Sequence, residues 1–295
     1  AIPISDLLLW IPLAGETTSA TLGATPHDTL ELLRRITVLR GTGLAVADVD
    51  YLLRGGSAAV SALAFTDTQA ANAAQAISDA IAKLATPPDA PTVATIAIGV
   101  LATATSTTAN VIAPLYPATA TTPPSQATIA AIARGAALYT ALHATEAEFA
   151  YIVANAAVFG WLDPSNLPTT ATSPYAPFEA LLRAVKLNHR QSARTPRLFD
   201  VLAAWQGPGG LPADPATAIN GRAATSTSPA LPSLATALGA ASAADVVALA
   251  AAGALNATAP SLTAAAQPGT LADMATLAAI TDALDLAARY ALGGA

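Results

Sequence analysis

The sequence contains no cysteine. This absence excludes disulfide bonds and zinc sites built from thiolates, and it leaves the redox compartment open. The N-terminal apolar cluster Leu7–Ile11 also lacks a preceding basic segment and follows Asp6 directly. A secretory signal peptide begins with a positively charged region, so we expect that these residues are not one.

Charged side chains are scarce as well. Asp, Glu, Lys and Arg make up 11% of the residues, and the net charge is −6. A nucleic-acid-binding surface needs clustered Lys and Arg, whereas the 13 basic residues here are scattered, so we predict no nucleic-acid partner. Because protein interfaces are depleted of charge, this composition predicts that much of the surface faces other protein.

The longest stretch without Asp, Glu, Lys or Arg lies between Asp89 and Arg134. Residues 93–112 within it are apolar enough to raise a transmembrane interpretation. However, they contain many Thr and Ser residues together with Gly99 and Asn110, and they lack the Leu, Ile and Phe density of an inserted helix. We therefore favour a buried or interface helix over a transmembrane one and predict no direct membrane span.

One short motif is present three times. Its copies are Gly43–Gly55 (GLAVADVDYLLRG), His143–Asn155 (HATEAEFAYIVAN) and Ala240–Ala252 (AASAADVVALAAA). Each copy reads as a turn followed by the start of an amphipathic helix, whose apolar face in the first copy carries Val49, Leu52 and Leu53. The motif predicts a recurring unit of architecture.

The helix starts of these copies carry capping signatures. In a capping box a hydroxyl accepts a backbone N–H at the helix start, and an acid three residues later reaches back to the cap residue. The second and third copies have this pattern, in Thr145 with Glu148 and Ser242 with Asp245. The first copy has Ala45 at the cap position, so only the Asp48 half can form.

Helical periodicity recurs along the chain, and no two alternating segments are joined by a hairpin turn. We predict an all-α fold, an irregular array of helix hairpins with no substantial sheet. Proline- and threonine-rich loops occupy residues 114–125, 164–177 and 207–230. The first of these loops joins an N-terminal helical lobe, residues 1–118, to a second lobe with the repeated hairpins, residues 125–295; the alternative is one continuous domain.

The sequence shows no catalytic constellation. His27, His143 and His189 are more than forty residues apart and have no metal-ligand spacing. The glycine pairs do not belong to a dinucleotide-binding or phosphate-binding loop motif. We predict no enzyme, no cofactor site and no metal site, and we assign no catalytic role to any of the three histidines.

Two pairs of carboxylates could be read as acid–base pairs, Asp48 with Asp50 and Glu146 with Glu148. Residues two apart on a helix do not face each other, so helix capping and solvent exposure explain them better. The densest basic cluster favours a solvated helix face or an inter-subunit salt bridge over an anion site. Its members are Lys186, His189, Arg190, Arg194 and Arg197.

Large aromatic residues fall on apolar helix faces or at helix ends. In a chain otherwise short of large side chains, this placement predicts core anchors. The residues are Tyr51, Phe149, Tyr151, Phe159, Trp161, Phe178, Phe199 and Trp205.

Four ordered stretches together resemble a known family. They are TLELLRRITVLRGTGLAVADVDYLLRG, LYTALHATEAEFAYIVANAAVFGWLDPSNLP, FEALLRAVKLNHRQSARTPRLFDVLAAW and LATALGAASAADVVALAAAGALN. In this order they resemble the helical region of the A component of bacterial insecticidal toxin complexes, also labelled the ABC-toxin N-terminal or neuraminidase-like region. The most specific elements are Asp48–Leu53, Phe159–Asp163 and Phe178–Arg183, and the resemblance runs from about Leu30 to Leu292.

The resemblance implies a structural role. In that family the A component is a homopentamer, and its helical region helps to form a shell around a channel that passes an enzyme carried by the B and C components. For this chain it implies a homo-oligomer or larger toxin assembly, partners of the B and C type, and release from the cell as part of that assembly. No sialidase residue set is recognisable, and 295 residues are too few to include the channel-forming and receptor-binding parts as well.

A second hypothesis follows from the loops rather than from the helices. In a binding module, the Thr/Pro-rich loops would recognise a receptor, a glycan or a cargo protein. Capture of a partner that depends on these loops would distinguish this role from a purely structural one.

Overall fold

The computed structural model describes most of the chain from residue 42 onwards: residues 42–55, 61–84, 88–117, 122–167, 175–190, 195–207, 211–226, 228–252, 257–261 and 270–289. Before residue 42 it describes the single positions 9, 13, 25, 29, 33, 35, 36 and 39. Within these residues the chain forms twelve α-helices, one 3-10 helix and no strand. Two isolated β-bridges join Arg222 to Leu231 and Thr258 to Thr270. The all-α prediction is confirmed.

The helices are numbered here in chain order. In chain order they are α1 Val46–Arg54, α2 Asp67–Ala82, α3 Ala90–Ala104, α4 Ala109–Ile112, the 3-10 helix Ala113–Leu115, α5 Gln126–Leu142, α6 Glu146–Phe159, α7 Tyr175–His189, α8 Leu198–Gln206, α9 Pro215–Asn220, α10 Leu234–Ala237, α11 Ala243–Ala251 and α12 Met274–Arg289.

The chain divides into two compact units. The first comprises Ala1–Ala154 and Leu162–Phe178, and the second comprises Asn155–Trp161 and Glu179–Ala295. This division differs from the predicted lobes, because the expected boundary near residue 118 falls inside the first unit. There α5, which follows the proline-rich stretch, packs on α1, α2 and α4, which precede it.

The core of the first unit includes the predicted apolar face of α1. Val49, Leu52 and Leu53 are fully buried, and α1 packs on α5. The uncharged helix α3 lies on α2 and buries Val93, Ala97 and Leu101, which are four residues apart and therefore share one face.

The uncharged region around α3 also bears on the membrane question. Among the residues that the structure describes, no single helix is both long and apolar enough to cross a membrane. Helix α3 and the segment Ala109–Leu115, bent by 114° from each other, reach that length and composition only when they are taken together.

A close backbone approach in the first unit depends on Gly135 of α5. A Cβ at this position would lie 2.6 Å from the Pro164 carbonyl oxygen and 3.0 Å from both terminal carbons of Leu115. Because a backbone atom cannot swing aside, we expect Gly135→Ala to lower the free energy of unfolding by about 1–3 kcal/mol. Denaturant unfolding followed by circular dichroism would measure it.

The matched control for this prediction is Gly99→Ala in α3. A Cβ at position 99 would enter open space, with nothing within 4 Å. Alanine there gains helix propensity of about 1 kcal/mol over glycine, so this variant should be as stable as the parent or more so. Equal losses from both substitutions would contradict the close approach at Gly135.

The second unit is built around stacked aromatic rings. Trp161 stacks on Phe159 at 4.7 Å between ring centroids and packs against Phe199 at 5.6 Å. Gly160 ends α6 with φ +65°. The backbone N–H of Trp161 donates to the Ala156 carbonyl at 2.8 Å, so the helix ends in a Schellman motif.

The predicted aromatic anchors are buried, with one partial exception. Tyr151 is half-buried, and burial raises its pKa. The fully buried anchors are Tyr51, Phe149, Phe159, Trp161, Phe178, Phe199 and Trp205.

Candidate functional site

The three motif copies share a helix start, but their caps differ. In α6 the predicted box forms completely: the Thr145 N–H donates to Glu148 Oε2 at 2.8 Å, and the Glu148 N–H donates to Thr145 Oγ1 at 3.3 Å. In α1 only the acidic half exists, as predicted, with the Ala45 N–H donating to Asp48 Oδ2 at 3.0 Å.

The box predicted for the third copy is wrong in its acidic half. Ser242 Oγ accepts the Ala244 N–H at 3.1 Å, two residues on, instead of the N–H of Asp245. Asp245 makes no hydrogen bond to Ser242 in the described part of the chain. The Ser242 cap therefore satisfies the N–H of the second helical residue, and the reciprocal pair of bonds that defines a capping box is absent.

The prediction of solvent exposure for the paired carboxylates is also wrong. Asp48, Asp50 and Glu148 are only 8%, 5% and 5% exposed. Each is satisfied locally: Asp48 Oδ1 accepts the Ser61 hydroxyl at 2.8 Å, Asp50 pairs with Arg54 at 2.8 Å, and Glu148 caps its helix. Tertiary packing can bury these carboxylates because each keeps a hydrogen-bond partner.

Glu146 has a different role from its neighbour Glu148. Its two carboxylate oxygens accept the Thr108 hydroxyl at 2.6 Å and the Asn110 amide at 2.7 Å, which connects the start of α4 to the start of α6. These two hydrogen bonds to the charged form lower the pKa of Glu146. The two acids of this pair are therefore bound to different partners and do not form an acid–base pair.

The most unusual polar group in the first unit is Arg134 of α5, which is 5% exposed. Its Nη2 donates to the Leu167 carbonyl at 3.2 Å, and its Nη1 lies against Gly55, 2.8 Å from where a Cβ would be. Gly55 ends α1 in the left-handed conformation with φ +61°. A cation at this point is favourable because the C-terminal end of a helix is negative.

We define the Arg134 cluster as Arg134, Tyr51, Gly55, Phe65 and Leu167. Burial lowers the pKa of Arg134 and raises that of Tyr51, whose phenol oxygen accepts the Phe65 N–H at 2.9 Å. The polar bonds of the cluster thus run from side chains to backbone groups of distant segments. These hydrogen bonds connect segments that are far apart in the chain, which is a structural role.

Sequence reasoning did not single out Arg134, although a signal existed. It is the only Asp, Glu, Lys or Arg residue between Asp89 and Glu146. A lone charge on an otherwise apolar helix must either face water or be buried with partners. The sequence does not distinguish these two cases, since the Leu167 carbonyl that accepts from Arg134 is a backbone group of the kind that any residue supplies.

The structure places the histidines in unrelated surroundings. His143 is exposed in the turn between α5 and α6, and His189 is the half-buried last residue of α7. His27 lies outside the described residues. Among the residues that the structure does describe, no group of three or more His, Cys, Asp or Glu side chains could hold a metal ion.

His143 has a strained backbone, which leads to a prediction. Its φ of 50° and ψ of 33° are left-handed, a conformation that costs an L-residue about 1–2 kcal/mol and glycine very little. We expect His143→Gly to raise the free energy of unfolding by about 1 kcal/mol, as measured by denaturant unfolding. His143→Ala is the control, because it removes the imidazole and keeps the Cβ. Equal destabilisation by both variants would show that the imidazole makes a needed contact.

One member of the basic cluster at the end of α7 forms a salt bridge within the chain. Arg190 donates through both terminal nitrogens to Asp285 of α12, with Nη1 2.7 Å from Oδ2. This pairing lowers the pKa of Asp285. Lys186 is exposed, the backbone N–H of Arg197 is capped by Asp200, and Arg194 lies outside the described residues. The exposed Lys186 fits the prediction of a solvated helix face. Arg190 forms its salt bridge within the chain, whereas the other prediction was a salt bridge between subunits.

An open groove lies between α2 and α3, with a volume of about 490 Å³. Its walls carry no charged side chain; they consist of Gln69, Asn72, Ala73, Ala76, Gly99, Val100, Thr103 and Ala104. No ionisable side chain lines this groove, so its walls offer no general acid or base.

Of the predicted binding loops, residues 207–230 are described most fully. The prediction of one long loop there is wrong, because helix α9, Pro215–Asn220, lies within this range with Asp214 as its cap. The bridge between Arg222 and Leu231 closes a hairpin loop, and Arg222 Nη2 donates to the Pro229 carbonyl at 3.3 Å. Within it the Thr225 N–H donates to the Ser228 carbonyl at 2.9 Å. Residues 118–121 and 168–174 of the other two loops lie outside the described residues.

Comparisons of the chain with protein-family models, with curated proteins and with solved structures found no match. The family resemblance therefore stays a prediction from the quoted segments.

Proposed function

We propose that this chain is a non-enzymatic structural helical module, similar to the shell region of a toxin-complex A component, which contributes to the assembly of a toxin-delivery particle. The observation that carries the proposal is the use of buried polar groups. Glu148, Arg134 and Asn188 each bond to backbone groups, with Asn188 Oδ1 accepting the Phe199 N–H at 2.9 Å. In an active site, by contrast, perturbed ionisable groups converge on a cavity.

The surface supports assembly with other protein. Charged residues are few in the whole chain, and the walls of the α2–α3 groove are neutral and made mostly of small side chains. Such surfaces allow close helix packing with little desolvation of charge. The proposed partners are further copies of this chain and components of the B and C type, and the proposed location is outside the cell as part of the assembly.

The experiment is to purify the native protein from its source and measure its assembly state. Mass photometry should show a multimer, and cryo-electron microscopy should place the helices described here in its wall. A native protein that is purely monomeric at cellular concentration would overturn the proposal. Charge substitutions in the groove, such as Gly99→Glu, should weaken the assembly, whereas Leu286→Glu on α12 serves as a surface control.

The alternative proposal is a binding module that recognises a receptor, a glycan or a cargo protein. The observation that favours it is the hairpin loop closed by Arg222 and Leu231, whose residues Ala223–Ser226 are exposed on an internally bonded turn. An ordered loop loses less conformational entropy on binding. Glycan arrays and pull-downs would compare the parent with a variant in which residues 223–228 are replaced by glycine and serine. Unchanged capture by that variant would contradict this role.

A further inference from the structure

The dipeptide Asn220–Gly221 lies at the end of α9 in a position that requires glycine. Asn220 is exposed and is the last residue of the helix. Gly221 has φ +75° and ψ −177°, a region that only glycine occupies readily, and a Cβ there would lie 2.6 Å from the Leu231 carbonyl oxygen. The fold therefore fixes a glycine directly after an exposed asparagine.

This dipeptide has a chemical reactivity of its own. The backbone nitrogen of Gly221 can attack Cγ of Asn220, since glycine has no side chain to obstruct it. A C–N bond forms, the amide nitrogen of Asn220 leaves as ammonia, and a five-membered succinimide results. Water then opens the ring at either carbonyl, which yields aspartate or isoaspartate. The only co-reactant is water.

Helix α9 restrains both reacting groups. The Gly221 N–H donates to the Thr217 carbonyl at 3.0 Å, and the Asn220 side-chain amide donates to the Ala216 carbonyl at 2.9 Å. While these bonds persist, the nitrogen of Gly221 is not free to reach Cγ. The reaction therefore requires the last turn of α9 to open.

Opening of α9 is controlled by a few named contacts. The helix has six residues, and a helix this short is not stable without external contacts. Asp214 holds its start by accepting both the N–H and the hydroxyl of Thr217 at 2.8 Å. Ser233 holds its end by donating its hydroxyl to the Ile219 carbonyl at 2.9 Å.

We propose that Asn220 is a spontaneous deamidation site whose rate is set by the opening of α9. The reaction puts a new carboxylate at the C-terminal end of the helix, where negative charge is unfavourable. An isoaspartate at residue 220 also lengthens the backbone directly before Gly221, next to Arg222, which pairs with Leu231. Modification thus loosens the hairpin loop that follows, and it does so irreversibly.

The test is to incubate the full chain at mildly alkaline pH and to quantify aspartate and isoaspartate at residue 220 by peptide mass mapping. Asp214→Ala removes the cap of α9 and should increase the rate about five-fold through more frequent local opening. Ser233→Ala should act in the same direction. Asn220→Gln should abolish the product, because glutamine would need a six-membered ring.

The matched control is Thr66→Ala, which removes the cap of α2, where Thr66 accepts the Gln69 N–H at 3.2 Å. This control should leave the rate at residue 220 unchanged. Equal rates in the parent, Asp214→Ala and Ser233→Ala would overturn the coupling to α9. A chain that remains unmodified at residue 220 even when it is incubated in denaturant would overturn the site itself.

Discussion

Replacement of Leu52 by aspartate is expected to unfold the first unit or to lower its free energy of unfolding by more than about 4 kcal/mol. Leu52 is fully buried on the face of α1 that packs on α5. The substitution removes an apolar side chain and places a carboxylate in the apolar core, so two costs add. Chemical denaturation followed by circular dichroism and by tryptophan fluorescence would measure the loss.

Two controls separate burial of charge from a general effect of mutation. Leu52→Met keeps volume and polarity and should cost less than about 1.5 kcal/mol. Leu286→Asp puts the same charge on a leucine that is 53% exposed, where surface substitutions stay within about 0.5 kcal/mol. The Leu52→Asp loss should also shrink at acidic pH, because burial raises the pKa of a carboxyl group and the folded state then binds the proton more tightly. A parent-like unfolding curve would contradict the placement of α1.

The second large effect is expected for Phe178→Ala, which should lower the free energy of unfolding by about 3–5 kcal/mol. Phe178 is fully buried in the first turn of α7, where its ring meets Tyr175 edge-on at 6.2 Å between centroids. Truncation leaves a cavity and removes this aromatic contact. Differential scanning calorimetry should show a lower transition temperature for the variant.

Phe178→Leu and Lys186→Ala complete this experiment. Leucine refills much of the cavity and should cost less than alanine, whereas exposed Lys186 on the same helix should be nearly neutral. If Lys186→Ala were as damaging as Phe178→Ala, the assignment of the buried face of α7 would be wrong.

Local features of the fold were predictable from residues close together in the sequence. The box between Thr145 and Glu148 and the half-box at Asp48 join residues three apart, so a local pattern is enough to identify them. The buried face of α1 follows from helical periodicity for the same reason. The third copy shows the limit of such patterns, since Ser242 and Asp245 have the spacing of a capping box but the Ser242 hydroxyl accepts the Ala244 N–H instead.

Features that join distant segments were not predictable in this way. Arg190 and Asp285 are ninety-five residues apart, and nothing in either neighbourhood marks the other as its partner. The hydroxyl of Ser61 bonds to Asp48 across thirteen residues, so the sequence around Asp48 does not show this partner. The division of the chain into two units likewise depends on which helices pack against each other, and the positions of the proline-rich loops do not predict it.

The sequence by itself determined the all-α fold, the capping box at the start of α6 and the buried apolar face of α1, since each arises from the period of the helix and from hydrogen bonds within one turn. Only the tertiary structure decided that Arg134 is buried against Gly55 and Leu167, that α3 and α2 form a neutral groove, and that Gly221 must be glycine. These depend on backbone atoms of segments far apart in the chain. Every residue carries the same backbone groups, so the identity of a residue does not show which of them it will meet.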